Sequence, residues 1–459
     1  MEYAINPLDG RYFEKTRALA PYFSEEALMK YRVMMEGEYL IALSEAKLKL
    51  RKFTNKEKNL IRSLYNLSIK DTRIISYIEL RGYKKIKATD HDVKAVEYFI
   101  KDKLANTSLK DVTEWIHFAL TSEDTNNIAY ALILSDSLEK VMVPKIIEII
   151  NNLTGLAIKY GTLPMLARTH GQSASPTTFG KEMKVFAQRL NRGLSHLLGQ
   201  KILVKLNGAS GNYNAHVSAY PKVDWLKFSE KFIAGLTPKR LIPLEWNPIT
   251  TQIEPHDSYI EIFDRLKRLN NMLIDLNQDI WRYISDEWIV QKPIEGTIGS
   301  STMPHKINPI KFENSEGNLG LANALFEFFG RKLPISRLQR DLSDSTVQRN
   351  FGTAFSYSLV AYEYLLNGLS KIRVNETKIK EDLKAHPEII TEAIQTILRR
   401  EGVKMPYEKL KELTRGKVVT LSDIHKFIDA LQVSDKIKRE LLKITPENYT
   451  GLASFLASI

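Results

Sequence analysis

Residues 258–283 read SYIEIFDRLKRLNNMLIDLNQDIWRY, with Tyr259, Ile262, Leu266, Leu269, Leu273, Leu276, Ile280 and Tyr283 recurring at intervals of three and four. That spacing lays one unbroken apolar stripe along a helix of about eight turns. Ser258 with Glu261 reads as a capping box at its start. Similar stripes run through Met183, Phe186, Leu190, Leu194 and Leu197, and through Phe351, Phe355, Leu359, Tyr362 and Leu366. Another joins Ile128, Leu132, Leu138, Met142, Ile146, Ile149 and Leu153, where Pro144 is expected to bend the helix rather than end it. A buried Leu or Ile contributes about 1.5–3 kcal/mol only where its stripe meets another apolar face, so the stripes predict a bundle. Helices of about 30 residues span about 45 Å, which predicts an all-α protein with an elongated central long-helix bundle.

The chain has 459 residues, enough for two or three domains with a large buried core. Before about residue 110 and after about residue 370 the helical runs shorten and are broken at Arg81-Gly82, Pro406 and Arg415-Gly416. This predicts two smaller helical domains, 1–110 and 369–459, flanking a central bundle of residues 111–368. There is no internal repeat of 20 to 50 residues and no low-complexity stretch.

The chain contains no cysteine, which excludes disulfides, thiolate zinc sites, iron–sulfur clusters and cysteine nucleophiles together. The net charge of +12 is spread through mixed stretches such as KIKEDLK at 378–384, not massed into a tract. A solvated mixed surface with a few anion-binding pockets is expected, without nucleic acid. The N-terminal MEYAINPLDGRYFEK has no basic region followed by an apolar stretch, and no 18 consecutive apolar residues occur. A cytoplasmic protein without a membrane partner is the expectation.

Four polar stretches interrupt the helical pattern. ATDHDVK (88–94) sets His91 between Asp90 and Asp92, and its plain reading is a capped helix start. HFALTSEDTNN (117–127) joins two stripes, and Thr121, Ser122 and Asp124 either cap the long helix or present hydroxyls and free N–H groups to a phosphate or carboxylate. RTHGQSASP (168–176) places His170 beside a glycine. GTIGSSTMPHKINP (296–309) brings two glycines, paired serines, His305, Lys306 and Asn308 into one loop, longer than a turn needs. HExxH, paired CxxC, a P-loop and a strand-linked GxGxxG are all missing from the sequence, so the expectation is acid–base chemistry with no metal and no cofactor.

The last loop resembles the signature of the fumarase/aspartase superfamily, whose members cleave C–N or C–O bonds and release fumarate. Within it the chain is similar to the adenylosuccinate lyase family, in its bacterial purine-pathway form. DGRY (9–12), HDVKAVEYF (91–99), HFALTSED, RTHGQ, NPITTQIEPHD (247–257) and SRLQRDLSDSTVQRN (336–350) agree with it in order and spacing. The resemblance covers residues 9 to about 415. It implies β-elimination: adenylosuccinate gives AMP and fumarate, and the succinylated imidazole carboxamide ribotide (SAICAR) gives AICAR and fumarate. Such a reaction needs a base at Cβ and an acid at the departing nitrogen, on opposite sides of one bond.

By motif position the resemblance makes Ser300 the base and His170 the general acid. A serine oxygen is a poor base unless its alkoxide is stabilised, which points to Lys306 and the glycine-flanked backbone. Lys306 also suits the carbanion that develops on the β-carboxylate. Glu313 matches a family carboxylate expected to orient His170 or its relay. Arg11, Arg340 and Arg349 are expected to grip planar oxyanions, against a plainer reading as surface ion pairs with Asp341 and Asp344. The resemblance places the phosphate and ribose end of the substrate at Arg11, Tyr12, His91, Ser345 and Arg349. It places the succinyl group at Thr121, Ser122, Gln252, Ser301, Lys306 and Asn308. Asp90, Asp92, Asn314, Thr346, Val347 and Gln348, within the same motifs, complete the expected substrate contacts. It further implies a homotetramer in which three subunits build each site.

The chain departs from the family pattern at Ser173 and Ser175, usually Pro and Thr, and at Asp90, usually Asn. Asp90 either points away from the site or tunes His91 toward its protonated form. GLTPKRLIPLE (235–245) looks like an insertion and is read as a surface loop. Argininosuccinate lyase, aspartase and fumarase share the signature loop, but HDVKAVEYF and TTQIEPHD match the purine enzyme. A basic helical RNA-binding scaffold would account for charge and bundle, yet leaves the Gly-flanked Ser/His/Lys loop without a purpose.

Overall fold

The computed structural model describes residues 4–236, 239–292, 303, 306–414 and 419–459. The described chain is helical, apart from three short two-stranded pairs. The stripe at 259–283 forms one helix, Asp257–Ser285, of 29 residues. Its apolar positions are buried throughout, from Tyr259 at 1% exposed to Tyr283 at 8%. The stripes at 183–197 and 351–366 lie on the helices Phe179–Leu198 and Phe351–Ser370. The helix carrying Pro144 does not stop there. Ser122–Ser137 passes through a π-helical stretch, Leu138–Met142, into Val143–Lys159. One wide turn absorbs the residue that lacks an N–H.

The chain forms two compact units. The first comprises Met1–Ile146, Gly193–Asn271 and Gly317–Glu363. In it the helix Glu25–Glu45 packs on Ser122–Ser137 and on Asp92–Leu104, which in turn meets Ile69–Leu80. Phe263, Phe326, Phe329, Phe351 and Phe355 form an aromatic core, with Phe263 and Phe351 centroids 4.9 Å apart. Beside it the buried Asn270 amide donates to Asn323 and Ser358, and its carbonyl accepts from Tyr362 at 2.7 Å. A satisfied polar group among apolar layers fixes which helix positions face each other.

The capping box expected at Ser258 is absent. Ser258 is the second residue of its helix, and its Oγ accepts instead from Leu203 N at 3.0 Å. Leu203 lies in the strand Ile202–Val204, paired in parallel with Leu244–Trp246. That pairing also corrects the reading of 235–245 as a surface loop. Ile242 is fully buried, its carbonyl accepts from Ser135 Oγ at 2.7 Å, and Arg240 reaches Asp136 at 2.5 Å.

By length and apolar composition Ser122–Lys159 would also suit a membrane span. Its buried Glu123, Asp124 and Asp136, however, are matched by Arg340, Lys205 and Arg240, as in a protein core.

The second unit comprises Ile147–Arg192, Met272–Glu316 and Tyr364–Ile459. Sequence reasoning missed its antiparallel hairpin, Pro164–Thr169 with Gln172–Thr178. His170 and Gly171 form the two-residue turn with φ of 53° and 74°, the left-handed pair that matches strand twist. A short strand, Ile289–Gln291, pairs with Ile372–Val374, and the buried Trp288 indole donates to Asp382 at 2.7 Å. The C-terminal part continues in short helices, among them Glu376–Lys384, Thr391–Arg400 and Leu421–Asp429.

Candidate active site

Thr121 precedes the helix Ser122–Ser137, and its N–H donates to Asp124 Oδ2 at 2.9 Å. Asp124 is fully buried, and Lys205 Nζ, equally buried, lies 2.9 Å from its Oδ1. The N–H groups of Asn207 and Gly208 donate to the same carboxylate. Asn207 then donates through its amide to Thr250 Oγ1 at 2.8 Å, and Gln252 Nε2 donates to Ala209 O at 3.0 Å. These bonds link the segments that carry Thr121, Asn207 and Gln252. Gly211 makes the approach possible: a Cβ there would lie 2.2 Å from Thr250 O, and its φ is +76°.

The sequence reading did not anticipate Lys205. A single lysine inside the apolar run ILVKL (202–206) was the available signal, since an ammonium there must find a carboxylate.

Arg340, only 11% exposed, sets Nη2 3.0 Å from Glu123 Oε2 and 3.6 Å from Asp344 Oδ1. Burial raises the Glu123 carboxyl above its ordinary value despite that guanidinium. Burial also pushes Asp344 up, but His256 and Arg340 outweigh it and hold the group below the usual carboxylate range. Glu123, His256 and Asp344 bring potential ligand atoms within 4.8 Å of one another, and Arg340 already supplies a cation there. Asp344 Oδ1 accepts from the Ser345 N–H at 2.7 Å, so the same cluster shapes the Ser345 turn. Thr346 is exposed, Val347 is buried in the core, and the buried Gln348 amide meets His256 Nε2 at 3.1 Å.

Arg349 reaches Glu25 at 2.6 and 2.7 Å and Asp92 at 2.9 Å. Asp92 is shared: the buried Arg32 meets the same Oδ2 at 2.7 Å and also donates to Asn126. Burial works against the Asp92 anion, yet Arg32 and a backbone N–H keep its carboxyl below the ordinary range. His91 is the N-cap of Asp92–Leu104, its Nδ1 accepting from Lys94 N at 3.3 Å. The plain reading of that stretch therefore holds, with His91 itself as the cap. Asp90 is exposed at φ 48° and forms no ion pair among the described residues, while Asp92 lies 3.8 Å from His91. Arg349 and Asp9 of the DGRY motif line one cavity of about 210 Å³. Arg11 is exposed and Tyr12 half-buried, just before the short helix Phe13–Thr16.

In the second unit His170 is exposed at its hairpin turn. Ser300, Ser301 and His305 lie outside the described residues. Lys306 is exposed, and its backbone N–H donates to Met303 O at 3.0 Å. Gln291 donates to Ile307 O at 2.7 Å, which fixes the segment leading through the half-buried Asn308 into the helix Ile310–Lys332. Glu313 accepts from the Trp281 indole at 3.2 Å, and His170 is not among its partners within the described chain. Asn314 is half-buried on the same helix.

In the first unit Arg32, Arg340 and Arg349 are each paired with carboxylates, and in the second His170 and Lys306 are exposed. The fold is that of the fumarate lyase superfamily. It matches 3-carboxy-cis,cis-muconate lactonizing enzyme from Pseudomonas putida with a TM-score of 0.73 at 18% identity, over 99% of this chain and 98% of that one. It also matches a fumarate lyase from Mesorhizobium sp. BNC1, with a TM-score of 0.70 at 17% identity, over 97% and 96%. The family model "Lyase" matches residues 10–323, and "Adenylosuccinate lyase C-terminal" matches residues 336–450. The chain is 48% identical to adenylosuccinate lyase of Haemophilus influenzae over 98% of its own length and 97% of the relative's. It is 50% identical to that of Dictyostelium discoideum over 98% and 96%. The chain belongs to the adenylosuccinate lyase family, and it is a lyase acting on small molecules.

Proposed function

We propose that the protein splits adenylosuccinate into AMP and fumarate, and SAICAR into AICAR and fumarate, within purine nucleotide biosynthesis. The near full-length identity of 48% to an adenylosuccinate lyase is the observation that carries this reading. Ser300, as an alkoxide, takes the proton from the succinyl Cβ. The electron pair of that C–H bond forms the new C=C bond as the Cα–N bond breaks. His170 donates its proton to the departing nitrogen. Lys306 and the loop's N–H groups stabilise both the alkoxide and the carbanion-like charge on the β-carboxylate. Arg11, Tyr12, His91, Ser345 and Arg349 take the phosphate and ribose end. Arg340 supports that end, together with Asp90, Asp92, Thr346, Gln348 and the Val347 backbone. Thr121, Ser122, Gln252, Ser301, Asn308 and Asn314 hold the succinyl end.

In this reading the protein works in the cytoplasm as a homotetramer, without nucleic acid, membrane or cofactor, with domains 1–110, 111–368 and 369–459. Any orienting of His170 by Glu313 then involves another copy of the chain, because no hydrogen bond or ion pair joins the two among the described residues.

The test is a spectrophotometric assay with adenylosuccinate comparing wild type with Ser300→Ala, Ser301→Ala, His170→Ala and Lys306→Ala. Ser300→Ala, His170→Ala and Lys306→Ala should each lose at least about 100-fold in kcat with helical circular dichroism intact. Wild-type rates in Ser300→Ala alongside loss in Ser301→Ala would move the base to the second serine. Equal rates in all would discard the mechanism. Mixing Ser300→Ala with His170→Ala protein should restore part of the activity if subunits share sites, and no recovery would count against a shared tetrameric site.

A further inference from the structure

His170 is carried by a hairpin whose second strand is tied down twice, by the two serines that depart from the family pattern. Ser173 Oγ lies 3.2 Å from His386 Nδ1, and the same nitrogen meets Glu388 Oε1 at 2.8 Å. The Ser175 hydroxyl donates to Glu392 Oε2, and Tyr449 OH donates to that same oxygen at 2.8 Å. His386 and Glu388 flank the start of the 3₁₀ turn Pro387–Ile390, and Glu392 lies in the first turn of Thr391–Arg400. Partial burial, with Glu392 adding to it, pushes the Tyr449 phenol up to about 12. Its proton therefore stays in place to hold the carboxylate.

The anchors fall where the hairpin is least regular. The strand register shifts between Met165 and Ala167, so Ser175 and Pro176 together oppose Leu166. Pro176 has no N–H for the ladder, and a bulge there frees the segment toward the turn to twist. Ser173, paired with Arg168, lies between the bulge and the His170–Gly171 turn. At the turn His170 has a φ of 53°, a conformation that persists in a residue with a Cβ only where the surroundings hold it.

We propose that Ser173 and Ser175 are positioning residues for the reaction: through His386–Glu388 and Glu392–Tyr449 they fix the direction in which the hairpin presents His170. The proposal rests on the reading of His170 as the general acid. It places part of the control of proton delivery in His386, Glu388, Glu392 and Tyr449, which have no part in the proposed chemistry. Imidazole delivery tolerates little misplacement, so loosening the hairpin should cost turnover far more than binding.

The experiment uses the full-length protein with Ser173→Ala, Ser175→Ala, the double variant, Ser175→Thr, Tyr449→Phe and His170→Ala. The double variant should lose at least about tenfold in kcat with KM within about twofold, and the basic limb of its kcat–pH profile should move. Ser175→Thr, which keeps the hydroxyl, should return to near the wild-type rate. Hydrogen exchange over residues 168–174 should quicken in the alanine variants and in Tyr449→Phe, with the remaining helices unchanged. Faster exchange with kcat within twofold of wild type, or a change in KM alone, overturns the positioning role. If the double variant fails to fold, Tyr449→Phe decides by the same pair of readouts, since it removes one hydroxyl and keeps the ring. Loss of rate in His170→Ala with full rate in the serine variants overturns this proposal only. Full rate in His170→Ala overturns the general-acid reading, and this proposal with it.

Discussion

Lys205 Nζ and Asp124 Oδ1 lie 2.9 Å apart with neither side chain exposed. The desolvation of both charges is offset because the Asp124 carboxylate also accepts from Thr121, Asn207 and Gly208 N–H groups. Lys205 in turn donates to Gly208 O. Removing one partner leaves a buried charge without its counter-charge. Lys205→Met is therefore expected to cost about 3–5 kcal/mol in urea unfolding, while Lys205→Met with Asp124→Asn costs less than the two changes summed. Additive losses would mean that the pair does not act as a unit.

Arg349 holds Glu25 with both carboxylate oxygens and shares Asp92 with Arg32. A guanidinium so oriented presents a planar fork, which an ammonium cannot reproduce. Arg349→Lys is expected to lower kcat/KM for adenylosuccinate by roughly 10–100-fold, mostly through KM, and Arg349→Ala by more. Equal kcat/KM in Arg349→Lys and wild type would remove Arg349 from substrate binding.

His216 is 1% exposed, with Tyr39 OH 3.2 Å from Nε2. Burial lowers its pKa to about 4, with Asp124 opposing and Lys205 adding to the shift. Between about pH 6.5 and 4 the unfolded chain binds a proton that the folded chain does not. The stability associated with neutral His216 is present above about pH 6.5 and is lost as pH falls through that window, by an amount on the order of 3 kcal/mol. Denaturant midpoints measured from pH 8 to 4 should show this limb, and His216→Gln should flatten it. An unchanged limb in the variant would assign the loss to other groups.

Gly211 sits where a methyl group would meet the Thr250 carbonyl at 2.2 Å. Gly211→Ala should push the 207–214 loop away from Thr250 and free the Gln252 bond to Ala209. The expected result is destabilisation by about 1–3 kcal/mol and a raised KM with a smaller change in kcat. Thermal unfolding and steady-state kinetics check both, and a wild-type KM would separate this loop from the succinyl end.

The long helices were legible because a stripe of period 3.6 needs only local sequence to be seen. The run from Tyr259 to Tyr283 is buried as expected, and Pro144 is passed within one helix. The strand pairs were not legible. Ile202–Val204 with Leu244–Trp246 joins segments about forty residues apart, and the three-residue strands are too short for a period-two pattern to show. The His170–Gly171 turn was noticed for its glycine, but the positive φ at both positions shows only once the flanking strands pair. At Ser258 a local capping rule lost to a tertiary donor, the Leu203 N–H.

Of the candidate site, the residue types and their motifs were readable, and their partners were not. That His91 begins a helix follows from its neighbours in sequence. That Asp92 is shared by Arg32 and Arg349, that Glu123 and Asp344 enclose Arg340, and that Lys205 neutralises Asp124 depends on segments distant in sequence. Sequence alone determined the helical class, the family and the motifs, because periodicity and motif spacing are properties of neighbours along the chain. Only the tertiary structure decided which charges are paired and buried and which stand exposed. An ion pair's strength depends on the dielectric and the distance created when remote segments meet, and neither is written in local order.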